Sequence, residues 1–275
     1  MAMARNLQSK GCDIVVCDIS TAAQESARTL GMHVCESPAE IAQQCDLIII
    51  VVVNAAQIDA VLFDEHGVVT RATEHTVVML CSTIAPEDTV GFARRMTRHK
   101  IQILDAPISG GPARALAGNM SIMLAGAEAS IVRHQRVLEA LSDNIFRLGS
   151  VIGDGAKYKL VNNLLAGINL VGAAEALALG IKLGLEPHRL LALINASSGQ
   201  SMIGQDRMTR ALQNDFAPRA FAHILSKDLT LAMAMADTVG HDTPLAAQAL
   251  AIFKATLAKG YSELDDAAVL KTYLE

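Results

Sequence analysis

Leu47-Ile48-Ile49-Ile50-Val51-Val52-Val53 is an unbroken apolar, mostly β-branched run that stops at Asn54. A run of this length without polar alternation fits a strand covered by helices on both faces. Similar short runs stand on either side of it: Ile14–Asp18 upstream, then Val77–Cys81, Ile101–Asp105, Ser121–Ala125 and Ile145–Leu148 downstream. Amphipathic stretches separate them at Thr21–Leu30, Ala55–Phe63, Pro86–Arg98 and Ala129–Leu141, with Pro86 suited to a first helical turn. This alternation predicts an α/β domain with a mainly parallel sheet over residues 1–150. Past Gly155 the strand signal ends. Ala156–Leu183 reads as one long helix, with Leu160, Leu164, Ile168 and Val171 at helical spacing and Gly167, Gly172, Ala173 and Ala174 small enough for close helix packing. Further helices are expected from Pro187, Gln200, Phe221, Pro244 and Asp265, so residues 151–275 are expected to form an all-α domain.

Composition narrows the function classes. The net charge of −5, from 23 basic and 28 acidic residues, is spread along the chain, with no basic stripe for nucleic acid. Aromatic residues make up 3% and Trp is absent, so base-stacking platforms are scarce. The run at Leu47–Val53 is too short to span a bilayer and the N-terminus lacks the order of a secretory signal, which predicts a cytoplasmic protein without a membrane partner. Cys12, Cys17, Cys35, Cys45 and Cys81 show no metal or redox spacing and are expected to be reduced, buried thiols. The eight histidines likewise show no metal spacing or triad companion.

Asp18 closes the first predicted strand, where a dinucleotide-binding βαβ unit places an acidic residue to accept hydrogen bonds from the adenosine ribose. Its carboxylate repels a 2′-phosphate, which favours NAD over NADP. Such a residue normally follows a glycine fingerprint by about 20 positions, and counting back from Asp18 runs off the N-terminus. Met1–Lys10 already reads as a helix closed by Gly11, so the first strand of the unit is expected to be missing.

Two further stretches carry chemistry. In Asp105-Ala106-Pro107-Ile108-Ser109-Gly110-Gly111-Pro112, a strand is followed by a hydroxyl and glycine amides ahead of a helical turn. Those groups can converge on a carboxylate, although Ser-Gly-Gly is equally often a plain turn. In Gly153-Asp154-Gly155-Ala156-Lys157-Tyr158-Lys159-Leu160-Val161-Asn162-Asn163, Lys159 and Asn163 are four apart and share a helix face, with Asn162 beside them. Lys157 is displaced by two residues, so the spacing makes Lys159 the inward lysine. For alcohol oxidation such a lysine takes the hydroxyl proton as hydride leaves, which requires its pKa to fall from about 10.4 toward roughly 7–8.

The opening Met3-Ala4-Arg5-Asn6-Leu7, the strand ending in Asp18, the D-A-P-I-S-G-G stretch and the Lys159/Asn162/Asn163 group occur in the order found in the β-hydroxyacid dehydrogenases, and the chain resembles that family from Met3 to Leu274. The resemblance implies a Rossmann-type domain, its fingerprint glycines falling immediately upstream of Met1, followed by an all-α domain. It implies a catalytic Lys159 assisted by Asn163, and substrate contacts from Ser109, Gly110, Gly111 and Asn162. It also implies cofactor contacts from Asp18, Val53, Asn54, Thr83 and Lys227, each of which alone reads as a turn former, cap or surface charge. A small carboxylate-bearing hydroxy acid, NAD and a homodimer or homotetramer are the implied partners.

Within the family, V-V-N-A-A-Q at Val52–Gln57, S-T-I-A at Ser82–Ala85 and G-Y-S-E-L-D-D at Gly260–Asp266 resemble members acting on L-threonate. Asn162-Asn163 is instead typical of those acting on 3-hydroxyisobutyrate or 2-hydroxy-3-oxopropionate, which stay as alternatives. Two other classes are also compatible with parts of the sequence: a non-catalytic dimerisation scaffold that has lost NAD binding, and a Schiff-base enzyme using Lys159. The segment N-A-S-S-G-Q-S at Asn195–Ser201 reads either as an interhelical turn or as a further substrate contact.

Overall fold

The computed structural model describes Met1–Leu274. Its contacts divide the chain into two compact units, Met1–Lys159 and Leu160–Glu275.

The first unit is α/β. In order it contains α1 (Ala2–Ser9), β1 (Val15–Val16), α2 (Thr21–Thr29), β2 (His33–Val34), α3 (Pro38–Gln44), β3 (Leu47–Ile50), α4 (Ala55–Phe63), β4 (Val77–Leu80), α5 (Pro86–Thr97), β5 (Gln102–Asp105), β6 (Ile108–Ser109), α6 (Gly111–Ala117), β7 (Ser121–Gly126), α7 (Glu128–Arg133), α8 (Gln135–Leu141) and β8 (Asn144–Arg147). Strands β3, β4 and β5 pair in parallel, from Leu47↔Val77 and Val77↔Gln102 onward. Strand β7 pairs antiparallel with β5 and β6 and parallel with β8. All four residues of β4 are buried, as the central position and covered faces of a parallel strand require.

The sheet is not continuous. Strands β1 and β2 form a separate two-stranded parallel ladder, so β1 and β3 do not pair. One core on the unit contains Leu7, Met79, Leu104, Ile122, Leu124 and Leu138; another contains Ile58, Leu62, Val78, Leu80, Met96 and Ile103.

The predicted helix over Ala129–Leu141 is two helices that meet at His134. Three short elements, β2, α3 and β6, have no counterpart among the elements that the sequence pattern predicts. Cys35 and Cys81 are buried free thiols, whereas Cys12, Cys17 and Cys45 are only half-buried.

Helix α9 (Asp154–Lys182) begins at the end of the first unit and continues into the second. By length and composition alone it could cross a membrane, a test that the core helix of a soluble protein also passes. The second unit adds α10 (Pro187–Asn195), α11 (Met202–Leu212), α12 (Ala222–Asp237), α13 (Pro244–Thr256) and α14 (Val269–Leu274). Its core gathers Leu170, Ala174, Leu177, Met208, Leu229, Ala249 and Phe253. Gly167 allows α12 to approach α9, since a Cβ there would lie 2.8 Å from Leu229 Cδ2. Gly172, expected to do the same, meets nothing within 4 Å.

Candidate active site

Because β3, β4 and β5 are parallel neighbours in one ladder, the segments that follow them emerge at the same edge of the sheet. That edge, at the carboxyl ends of the strands, is where open α/β sheets bind ligands. The segments are Val53-Asn54 after β3, Ser82-Thr83 after β4, and the turn from Asp105 to Gly111 after β5. The first two are tied together by the Val52 N–H, which donates to Ser82 Oγ at 2.9 Å.

Asn54 is the N-cap of α4, its side-chain oxygen accepting from Gln57 N–H at 2.9 Å, while Gln57 Oε1 accepts from Val53 N–H at 2.7 Å. The pair resembles a capping box, with Gln57 reaching the residue before the N-cap instead of the N-cap itself. The turn-forming property of Asn54 is therefore used, and only its remaining polar capacity is open to a ligand. Thr83 is half-buried and is not the cap of the following helix, since Ala85 holds that position. Asp18 is exposed just beyond β1, with one carboxylate oxygen accepting from Ser20 N–H at 2.8 Å. An exposed carboxylate at the end of a parallel strand supplies the acceptors that two ribose hydroxyls need, so the residues present fit the adenosine side of a dinucleotide.

Ser109 ends β6, and Gly110 and Gly111 lead into α6 with φ of 133° and 69°. Side chains rarely adopt these angles, so this backbone depends on glycine at both positions.

Lys159 and Lys157 separate as the spacing predicts. Lys157 is exposed and paired with Asp154 at 2.9 Å, while Lys159 is 6% exposed. One turn further along α9, Asn163 is also buried. Its Nδ2 donates to Asp228 Oδ2 at 2.6 Å, and its Oδ1 accepts from Asn162 Nδ2 at 3.1 Å. Asp228 is itself buried on α12, and its other oxygen accepts from Lys227 Nζ at 2.7 Å. One carboxylate thus fixes both Asn163 and Lys227. Asn162 lies on the exposed side of the helix apart from this bond. The N-A-S-S-G-Q-S segment connects α10 and α11, where Ser201 caps α11 by accepting from Gly204 N–H at 3.1 Å.

Asp228 has no separate role in the sequence reading, yet its carboxylate joins two of the candidate site residues, Asn163 and Lys227. It directly follows the candidate Lys227 in sequence, but its partner Asn163 is 65 residues away.

Comparison with known proteins identifies the family. Residues 1–149 match the model of the NAD-binding domain of 6-phosphogluconate dehydrogenase, and residues 153–273 match the NAD-binding domain of NADP-dependent 3-hydroxyisobutyrate dehydrogenase. The L-threonate dehydrogenase of Cupriavidus necator is 34% identical over 98% of this chain and 91% of its own length. The chain belongs to the 3-hydroxyisobutyrate dehydrogenase family. It is accordingly an NAD(P)-dependent oxidoreductase acting on a CH–OH group. The 2-(hydroxymethyl)glutarate dehydrogenase of Eubacterium barkeri is 32% identical to this dehydrogenase over 98% of the chain and 90% of the relative. Among solved structures, the 3-hydroxyisobutyrate dehydrogenase of Salmonella typhimurium superposes with a TM-score of 0.92 at 34% identity, covering 98% of this chain and 94% of that one. The Mycobacterium tuberculosis 3-hydroxyisobutyrate dehydrogenase solved with L-serine gives 0.84 at 28% identity, with the same coverage.

Proposed function

We propose that this dehydrogenase oxidises L-threonate, or a related four-carbon sugar acid, using NAD, with Lys159 as the general acid/base. The observation that carries the reading is the burial of Lys159, one helical turn before an Asn163 whose amide is held by Asp228. A lysine used as a base must be able to lose its proton near neutral pH, and removal from water disfavours the ammonium form.

In the forward direction the neutral Lys159 amine accepts the substrate hydroxyl proton while the C–H bond breaks. Bound NAD supplies the hydride acceptor. Asn163, with one N–H committed to Asp228, has its second N–H to orient an oxygen in the reacting group. Ser109 with the Gly110 and Gly111 backbone holds the substrate carboxylate, Asn162 contributes a further polar contact, and the fixed turn limits the poses in which the carbon can react. Val53, Asn54, Thr83 and Lys227 are assigned to cofactor contacts, and Asp18 to the ribose hydroxyls, which favours NAD over NADP.

Residues 1–150 on this reading serve the cofactor and 151–275 the substrate and subunit pairing. Exposed Tyr158, Val161, Leu165 and Leu179 on α9 support a homodimer or a homotetramer, and a soluble cytoplasmic enzyme is the matching setting.

The L-threonate assignment is supported by relatives of that name in Cupriavidus necator and Pectobacterium atrosepticum, at 34% and 33% identity. The Asn162-Asn163 pair favours a second reading, with 3-hydroxyisobutyrate as substrate or 2-hydroxy-3-oxopropionate reduced in reverse. A panel of L-threonate and 3-hydroxyisobutyrate with NAD or NADP, and of 2-hydroxy-3-oxopropionate with NADH or NADPH, separates the readings. At least a tenfold higher kcat/KM for L-threonate with NAD is expected. A clear preference for either alternative overturns the substrate assignment while leaving the lysine chemistry intact.

A further inference from the structure

The carboxylate of Asp105 is 2% exposed, and none of the steps above uses it. It stands at the end of β5, where Asp105 pairs with Ala125 of β7, four residues before Ser109. Its Oδ2 accepts the backbone N–H of Gly153 at 2.8 Å and of Ala156 at 3.3 Å. These N–H groups belong to the start of α9, where a helix has amides without intrahelical partners and a partial positive charge. Gly155 allows the approach: a Cβ there would lie 2.7 Å from Asp105 Oδ1 and 2.7 Å from Met123 O. Lys159 follows Ala156 by three residues and Gly155 by four, so it lies on the turn immediately above the capped amides.

We infer that Asp105 is a positioning residue for the reaction: by holding the first turn of α9 it sets the axial placement and rotation at which Lys159 is presented, and by ending β5 it ties that placement to the Ser109-Gly110-Gly111 turn.

A surface cap would suffice to start a helix. Asp154 is already available for that purpose in the same turn, half-exposed and facing Lys157. What Asp105 adds is a fixed connection between the sheet and the helix. The charged and titratable groups facing it are Asp154 on α9, whose negative charge raises the Asp105 carboxyl, and Cys81, just past β4, whose thiol is held in the neutral form by burial and by Asp105. A buried carboxylate kept in that setting by backbone donors makes a rigid joint, because loss of its position leaves several buried amides unpaired.

The inference rests on the assignment of Lys159 as the base, yet it is testable without turnover. The rate at which Lys159 is acetylated by dilute acetic anhydride, read by mass spectrometry with the exposed Lys254 on α13 as internal reference, reports its placement in the full chain. Asp105→Asn and Gly155→Ala disturb the same joint by different means, one removing charge and the other space. Both are expected to raise Lys159 labelling at least fivefold relative to Lys254, and to shift the pH dependence of that labelling. Asp154→Asn, which alters helix-end charge only, is expected to leave the Lys159 rate within twofold of the parent.

Unchanged Lys159 labelling in a folded Asp105→Asn or Gly155→Ala protein overturns the inference. An equal rise in Asp154→Asn also overturns it, by showing that helix-end charge alone governs Lys159. Failure of both Asp105→Asn and Gly155→Ala to fold assigns Asp105 a purely structural role and overturns it too. Loss of turnover in Lys159→Ala bears on the base assignment alone, so the two ideas fail separately.

Discussion

Asp228→Ala removes the single carboxylate that holds Asn163 and Lys227. In the parent the group is 2% exposed and accepts from Asn163 Nδ2 at 2.6 Å and Lys227 Nζ at 2.7 Å. Truncation leaves the buried Asn163 amide without that acceptor, a loss of about 1–3 kcal/mol. The Lys227 side chain is 25% exposed, so its half of the interaction contributes up to about 1 kcal/mol. A destabilisation of about 2 kcal/mol corresponds to a fall in Tm of roughly 4–8 °C for a chain of this size. Because Asn163 is then no longer oriented, kcat for the best substrate also falls, by about tenfold, which is about 1.4 kcal/mol of transition-state stabilisation. Asp228→Asn keeps the shape and one acceptor and should recover part of both losses. Circular-dichroism melts and steady-state kinetics on the three proteins make the test. A Tm within 1 °C of the parent together with kcat within twofold refutes the claim that Asp228 organises this part of the second unit.

Three further outcomes follow from other residues. Asp18→Ser removes the charge that repels a 2′-phosphate, and the ratio of kcat/KM for NAD to that for NADP should move at least tenfold toward NADP; an unchanged ratio refutes a ribose role for Asp18. Burial pushes the Asp105 carboxyl up to about 6 against the pull of the Gly153, Ala156 and Gly155 amides. Its folded pKa is thus above the unfolded value, so the associated stability is present below about pH 4 and lost as pH rises through about 6, an effect of about 3 kcal/mol that urea titrations of Asp105→Asn should lack. In the second unit, burial acts to raise the Asp265 pKa, but Arg210 and the Arg219 and Ala267 amides outweigh it and hold the group at about 2. Asp265 therefore contributes stability above about pH 4 that is lost as pH falls through about 2, and Asp265→Asn should show a weaker acid limb in the same titrations.

The elements that can be read from the sequence are those whose own residues carry the signal. Strand β3 declares itself because every residue is apolar, and α4 matches its predicted bounds because Asn54 and Gln57 cap it locally. The two-residue strands β2 and β6 are too short for any periodicity, and their pairing depends on β1 and β7. Helix α3 is legible in principle: Ser37 accepts from Glu40 N–H, Pro38 occupies the first turn, and Glu40 Oε2 accepts from Glu36 N–H, which is a capping signature in S-P-A-E. Its short apolar face conceals it.

The same division holds at the site. The inward turn of Lys159 and the outward turn of Lys157 follow from helical spacing, since both lie on one element. The partnership of Asp228 with Asn163, and of Asp105 with Gly153 and Ala156, joins residues at separations of 65, 48 and 51 positions. No local pattern encodes such contacts. They follow from how the strands and helices pack, and the motifs mark only their endpoints.

The most direct test of the central claim is NAD reduction in a single turnover with L-threonate, comparing the parent with Lys159→Ala at saturating substrate and cofactor. A general acid/base supplies about 10²–10⁴ in rate, so the variant should bind substrate with little change while its hydride-transfer step slows by that factor. A rate within a few-fold of the parent contradicts the assignment of Lys159 and with it the mechanism proposed for this dehydrogenase.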